Sequence, residues 1–212
     1  VTMMNSTQAL FVYKGTSGYC EIRTLNIAGT NVSAGTITVI AASVNTCGAI
    51  AAISATQAIV AVNDTGVITY CYLATVSGTN VSLGASPAQV QMTASLHAMC
   101  AINATQVLLF ASGYSSTVPR FVLLTLSGST VAVSDHIDGI GFDGGIGPDL
   151  AKISATRVAC IRTPAGGNSG SGKHALQLID VSESVLQSNQ RRTPLKNSRN
   201  DGNSNATVAV LS

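Results

Sequence analysis

"ISATQAIVAV" at residues 53–62 returns 49 residues later as "INATQVLLFA" at 102–111. The phrase also opens the chain as "MNSTQALFVY" (4–13), recurs as "ISATRVACIR" (153–162) and closes it as "SNATVAVLS" (204–212). Its threonines, Thr7, Thr56, Thr105, Thr156 and Thr207, stand 49, 49, 51 and 51 residues apart. A second phrase keeps step with the first: "IAGTNVSAG" at 27–35, "VSGTNVSLG" at 76–84 and "LSGSTVAVS" at 126–134, with "VSESVLQS" at 181–188 as a degraded fourth copy. Two landmarks moving together at one period mark duplication of a whole supersecondary unit.

Each threonine is followed by a six-residue apolar run such as "QALFVY" or "QAIVAV", too short for a helix and bounded by Gly, Ser, Asn or Asp, as a buried strand is. A polar loop leads to a second run ("YCEIRTLNI", "TYCYLATV", "RFVLLTL", "HALQLIDV"). A glycine turn, "AGT", "SGT" or "SGS", then gives the chemistry of a tight hairpin. A short apolar piece, "GAIAAI", "HAMCAI" or "PDLAKI", precedes the next threonine. The chain therefore reads as all-β, with about four antiparallel strands in each unit of about 50 residues.

Repeats of that length and strand number are expected to form a β-propeller-like array, because one such unit cannot bury both faces alone. A two-sheet sandwich, the rival, gives no reason for the unit to recur. One repeat domain over 1–212 is expected, with repeats at about 1–49, 50–98, 99–149 and 150–203 and a partial fifth at 204–212. The threonine phrase occurs five times and its hairpin four times, and the start leaves little room for a strand before Thr7. Partner strands from a shared closing blade, from further residues or from another chain are therefore expected, since bare edges invite aggregation.

Charged residues make up 9% of the chain and hydrophobic ones 46%, at a mean hydropathy of +0.37. No uninterrupted apolar run approaches the roughly 18 residues of a spanning helix, so membrane insertion is not expected. The net charge of +2 is too small for nucleic-acid steering by the whole domain. Arg191, Arg192, Lys196 and Arg199 cluster within "RRTPLKNSRN" and read first as a solvated loop. Five cysteines, an odd number without a CxxC pair, read as buried thiols, with Cys20–Cys47 the one disulfide left open.

The tempting catalytic motifs fail on context. "GIGFDG" at 139–144 is followed by no helix, which a dinucleotide site requires. "GGNSGSG" at 166–172 and His97 resemble pieces of a serine protease, yet Ser169 falls in a loop that the other units also carry, and no buried carboxylate is placed to orient His97. Across the first 119 residues the acids are only Glu21 and Asp64, so the chain reads as no enzyme. The loop "SDHIDGIGFDGGIGPD" at 134–149 offers Asp135, Asp138, Asp143 and Asp149 as weak calcium candidates, in a spacing that departs from an EF-hand; otherwise no cofactor is expected. Six N-x-[ST] sequons, at Asn5, Asn31, Asn63, Asn80, Asn103 and Asn205, follow in part from the duplicated threonine phrase.

"ISATQAIVAV", "INATQVLLFA", "ATVSGTNVSLG" and "LTLSGSTVAVS" together resemble the propeller-like repeats of bacteriophage tail fibres and other virion-surface proteins, and of some bacterial surface proteins. The fourth unit departs from the pattern, with Arg157 in place of glutamine and "SES" in place of "SGT". The resemblance implies a virion-surface or extracellular module that attaches to a host-surface glycan or receptor; the alternative is a purely structural capsid-decoration or fibre protein. It also implies homo-oligomers or other fibre subunits as partners. Tyr114, Asp138, Phe142 and Asp143 are the ligand-binding candidates, with Tyr19 and Tyr72 as further aromatic platforms.

Overall fold

The computed structural model describes residues 1–42, 44–64, 68–91, 96–112, 120–138, 146–163, 175–182 and 185–194. Among them there is no helix, and every strand pairing is antiparallel. The first sheet comprises β1 (Thr2–Asn5), β2 (Gln8–Lys14), β3 (Cys20–Ala28), β4 (Asn31–Ala34) and β5 (Thr38–Ala41). The second comprises β6 (Val44–Ala52), β7 (Gln57–Asp64), β8 (Ile68–Ser77), β9 (Asn80–Leu83) and β10 (Ala88–Gln91). The third holds β11 (Leu96–Asn103), β12 (Gln106–Ser112), β13 (Arg120–Ser127) and β14 (Thr130–Asp138). The fourth holds β15 (Ile146–Ser154), β16 (Arg157–Thr163), β17 (Ala175–Ser182) and β18 (Val185–Pro194).

The apolar piece before each threonine pairs with the strand after it, so each sheet starts 5 to 12 residues ahead of its threonine, at Thr2, Val44, Leu96 and Ile146. The first sheet has that strand too: Thr2–Asn5 suffices, pairing Thr2 with Leu10 and Met3 with Ala9. The repeated threonine phrase is a turn device. Asn5 Oδ1 accepts the Thr7 N–H at 2.9 Å, and Asn103 Oδ1 accepts the Thr105 N–H at 2.9 Å. Ser54 and Ser154 do the same for Thr56 and Thr156 through their hydroxyls, at 3.2 Å. Each threonine carbonyl in turn accepts a backbone N–H from the third strand of its own sheet, from Ile27, Val76, Leu126 and Val181. A short polar side chain two residues before the threonine is the sequence that closes this turn.

The second phrase is the hairpin joining the third and fourth strands. Gly29, Gly78 and Gly128 sit at its first turn position with φ of 61°, 59° and 60°, the left-handed region that glycine enters without a Cβ penalty. The fourth unit lacks the glycine, yet Ser182 still pairs with Val185 as Ser77 pairs with Asn80. In the first two sheets the fourth strand is split: β4 then β5, and β9 then β10, both segments pairing with the third strand.

The sheets pack face to face in series, with β1 and β2 against β6, β6 against β11, and β11 against β15. Alternation along each strand sends one set of side chains forward to the next sheet and the other back to the previous one. Leu10, Ile22 and Met4 of the first sheet meet Ala58, Val60, Val62 and Val76 of the second. Ile59, Cys71 and Leu73 meet Val107, Leu109 and Val122; Leu108, Phe110 and Phe121 meet Val158, Cys160 and Ile179. The strand β7 is consequently buried at six successive positions, Ala58 to Asn63, which is why its sequence is a continuous apolar run and not an alternating one.

Candidate functional site

The turns that close the first two strands and the glycine hairpins lie at the same end of each sheet, because Gln8 pairs with Asn26 and Gln57 with Thr75. In the first unit these two turns border an open cleft of about 350 Å³. Its walls are Asn5, Thr7 and Gln8 on one side and Asn26, Ile27, Ala28, Asn31, Val32 and Ser33 on the other. No lining residue is charged. Gln8 Nε2 donates to Asn26 Oδ1 at 2.9 Å and to the carbonyl of Gly78 in the second sheet at 2.8 Å, so this wall is held by bonds within and between sheets. Asn31 and Ser33 are exposed and offer an amide and a hydroxyl. A concave rim of neutral donors and acceptors suits a neutral, polyhydroxylated ligand better than an ion.

The opposite end of the third and fourth sheets holds the residues singled out from sequence. Asp138 pairs with Arg120 directly across β14 and β13, its Oδ1 accepting from Nε at 3.0 Å, with Asp138 exposed and Arg120 half-buried. Asp135 lies three residues back on the same strand and so projects from the other face of the sheet. Its Oδ1 accepts the His136 N–H at 2.8 Å, and its Oδ2 accepts the Leu186 N–H of the fourth sheet at 2.8 Å. Asp149 is half-buried on β15 beside Ile161 of β16. The structure therefore does not bring Asp135 and Asp138 together. Among the described residues no three His, Cys, Asp or Glu side chains converge as metal ligands do. Tyr114, Phe142 and Asp143 lie outside the described residues, as do Ser169, the "GIGFDG" loop, Lys196, Arg199 and the last threonine phrase. Arg191 and Arg192 fall within β18.

Of the remaining aromatic candidates, Tyr19 is 40% exposed in the loop between β2 and β3. Tyr72 is half-buried and packs against the core between the first two sheets, where burial raises its hydroxyl pKa. Cys20 and Cys47 are both thiols and lie side by side, with Cys20 donating to Cys47; burial raises both thiol pKa values. Sequence reasoning missed Asn5, Gln8, Asn26 and Asn31 as cleft residues. The signal was present, in the coincidence of sequons with the repeated turn phrases, but it pointed first to duplication.

No protein-family model matches the chain, and no curated protein matches it. No helix among the described residues is long and apolar enough to cross a membrane.

Proposed function

We propose that the chain is a non-enzymatic attachment module of a bacteriophage virion or tail fibre, one that binds a neutral host-surface glycan at the turn rim of its first unit. The observation that carries the reading is the cleft between Asn5, Gln8, Asn26 and Asn31: its volume of about 350 Å³ is at the small end of ligand pockets, and its lining sets amides and hydroxyls beside the apolar Ile27, Ala28 and Val32, without a titratable group. Such groups bond sugar hydroxyls in pairs, and without an acid or base beside them they hold a glycan and leave its bonds intact. Turns on a rigid sheet scaffold are suited to recognition because they vary without disturbing the core. The test is an array of bacterial surface polysaccharides probed with the wild-type chain and with Asn31→Ala. Binding to a neutral glycan that Asn31→Ala weakens about tenfold supports the reading; no hit across a diverse panel removes it.

The second reading, a purely structural virion or fibre component, is favoured by a different observation. The outer face of the first sheet exposes Phe11 and Val32, apolar groups in the positions that other units bury against a neighbour.

A further inference from the structure

Cys20 and Cys47 form a thiol pair that duplication of the unit does not explain. Cys20 lies on β3 of the first sheet and Cys47 on β6 of the second, and both belong to the core between these sheets, where the Cys20 thiol donates to Cys47. The counterpart of Cys20 in the second sheet is Thr69, since Cys20 faces Lys14 across β2 as Thr69 faces Asn63 across β7. Cys71 lies between the second and third sheets, and Cys100 and Cys160 lie between the third and fourth, so no other thiol shares the first interface.

The backbone aims the two side chains at each other. Each cysteine borders an irregularity in its sheet: the register shifts between Cys20 and Glu21 where β3 pairs with β5, and between Cys47 and Ile50 where β6 pairs with β7. Such bulges bend a strand and re-aim a side chain. Lys14 fixes the approach of the two sheets, because it pairs with Cys20 while its Nζ donates at 2.9 Å to the carbonyl of Val44, a short step along β6 from Cys47. Burial raises the Cys47 pKa, and the Cys20 thiol, the Glu21 N–H and the Lys14 ammonium pull the other way by favouring charge on its sulfur. Cys47 is half-buried and Cys20 fully buried, so a reagent from solution meets Cys47 first.

We infer that Cys20 and Cys47 are a reversible modification site for small-molecule disulfides, which convert the pair into a disulfide that staples the first sheet to the second. The Cys47 thiolate attacks one sulfur of the reagent and forms a mixed disulfide; the reagent's S–S bond breaks, and its first half leaves as a thiolate that takes up the proton Cys47 has lost. Cys20 then loses its proton and attacks the Cys47 sulfur; the mixed disulfide breaks, and the second half leaves as a thiolate that takes up the Cys20 proton. The two protein thiols are oxidised to one disulfide, the reagent is reduced to two thiols, and an added dithiol reverses both steps. The ring closed from Cys20 to Cys47 constrains the unfolded chain and thereby favours the fold. The staple does not depend on glycan binding.

The test treats the reduced, native chain with oxidised glutathione, then counts the remaining thiols by intact mass after alkylation with iodoacetamide in denaturant. Of its five thiols the wild type is expected to lose two, with peptide mapping placing the new bond between Cys20 and Cys47. Its thermal unfolding midpoint is expected to rise on closure and to return when dithiothreitol reopens the bond. Cys20→Ser is expected to stop at a stable glutathione adduct on Cys47, and Cys47→Ser to leave Cys20 unmodified, with circular dichroism confirming that each variant keeps its strands. The buried Thr69 at the counterpart position shows that a hydroxyl is accommodated there. A wild type that keeps all five thiols, that retains the adduct without closing, that bonds another pair of cysteines, or that closes with an unchanged midpoint overturns the inference.

Discussion

The Oδ2 atom of Asp135 accepts the backbone N–H of Leu186 at 2.8 Å, joining the third sheet to the fourth across a separation of 51 residues in the chain. A carboxylate that sequence placed among metal candidates is here an acceptor in the seam between two sheets. A hydrogen bond to a charged group contributes more than a neutral one, and removing one partner leaves the other unmet where it is half-buried. Asp135→Ala is therefore expected to destabilise the fold by about 1–3 kcal/mol, and Asp135→Asn, which keeps an acceptor oxygen, by less. Urea unfolding followed by circular dichroism reads both; equal midpoints for Asp135→Ala and wild type would contradict the role.

The turn device has its own test. Asn103 Oδ1 accepts from both the N–H and the Oγ1 of Thr105, at 2.9 and 3.0 Å. Asn103→Ala should lower stability by about 0.5–1.5 kcal/mol, the usual net worth of such bonds, while Asn103→Ser, which copies the natural second and fourth units, should recover most of the loss. Thermal unfolding of the two variants side by side distinguishes them.

Gly35 and Gly84 mark the closest approach of one unit's split fourth strand to the next unit's hairpin, and they differ in tightness. A Cβ on Gly35 would run into the Thr24 hydroxyl and the carbonyl of Thr79, which is backbone and cannot step aside. A Cβ on Gly84 would meet the Ser129 carbonyl at 3.4 Å, an ordinary contact. Gly35→Ala is expected to cost about 1–3 kcal/mol as overpacking, and Gly84→Ala close to nothing. Chemical denaturation of both gives the comparison, and a reversed order would show that the sheets are spaced differently.

Complete burial pushes the Cys71 thiol from 9.0 up to about 12. The unfolded chain loses this proton near its ordinary value while the folded chain keeps it, so above that pH the folded state binds more protons and its stability falls as pH rises. Stability should be flat in this group below about pH 8 and decline by up to about 1.4 kcal/mol per pH unit between 9 and 12. Cys71→Ala should remove that part of the slope in urea titrations. In the native state at pH 8, iodoacetamide should leave Cys71 unmodified.

The repeat was legible because its letters are mechanical: an Asn or Ser two residues before a threonine closes one turn, and a glycine at positive φ closes the next. Long apolar runs such as Ala58–Val62 likewise announced strands covered on both faces. Contacts between distant residues were not legible. Nothing in the sequence ties Asp135 to Leu186, and nothing marks Gln8 as the side chain that reaches the Gly78 carbonyl of the following unit. The assignment of "GAIAAI" to the following sheet also depends on pairing, since a six-residue apolar run fits either neighbour equally well by pattern. The fourth hairpin shows the converse: Ser182 and Val185 pair although the glycine is missing, because tertiary packing of Val181 and Leu186 overrides a weak turn sequence.

The most direct test of glycan attachment at the first turn rim is amide chemical-shift mapping by NMR with the strongest neutral glycan from the array. Saturable shifts confined to Asn5, Gln8, Asn26 and the Asn31–Ser33 segment, and lost in Asn31→Ala, are the expected result. Shifts clustered instead around Arg120 and Asp138, or no saturable shift with any glycan, would contradict it.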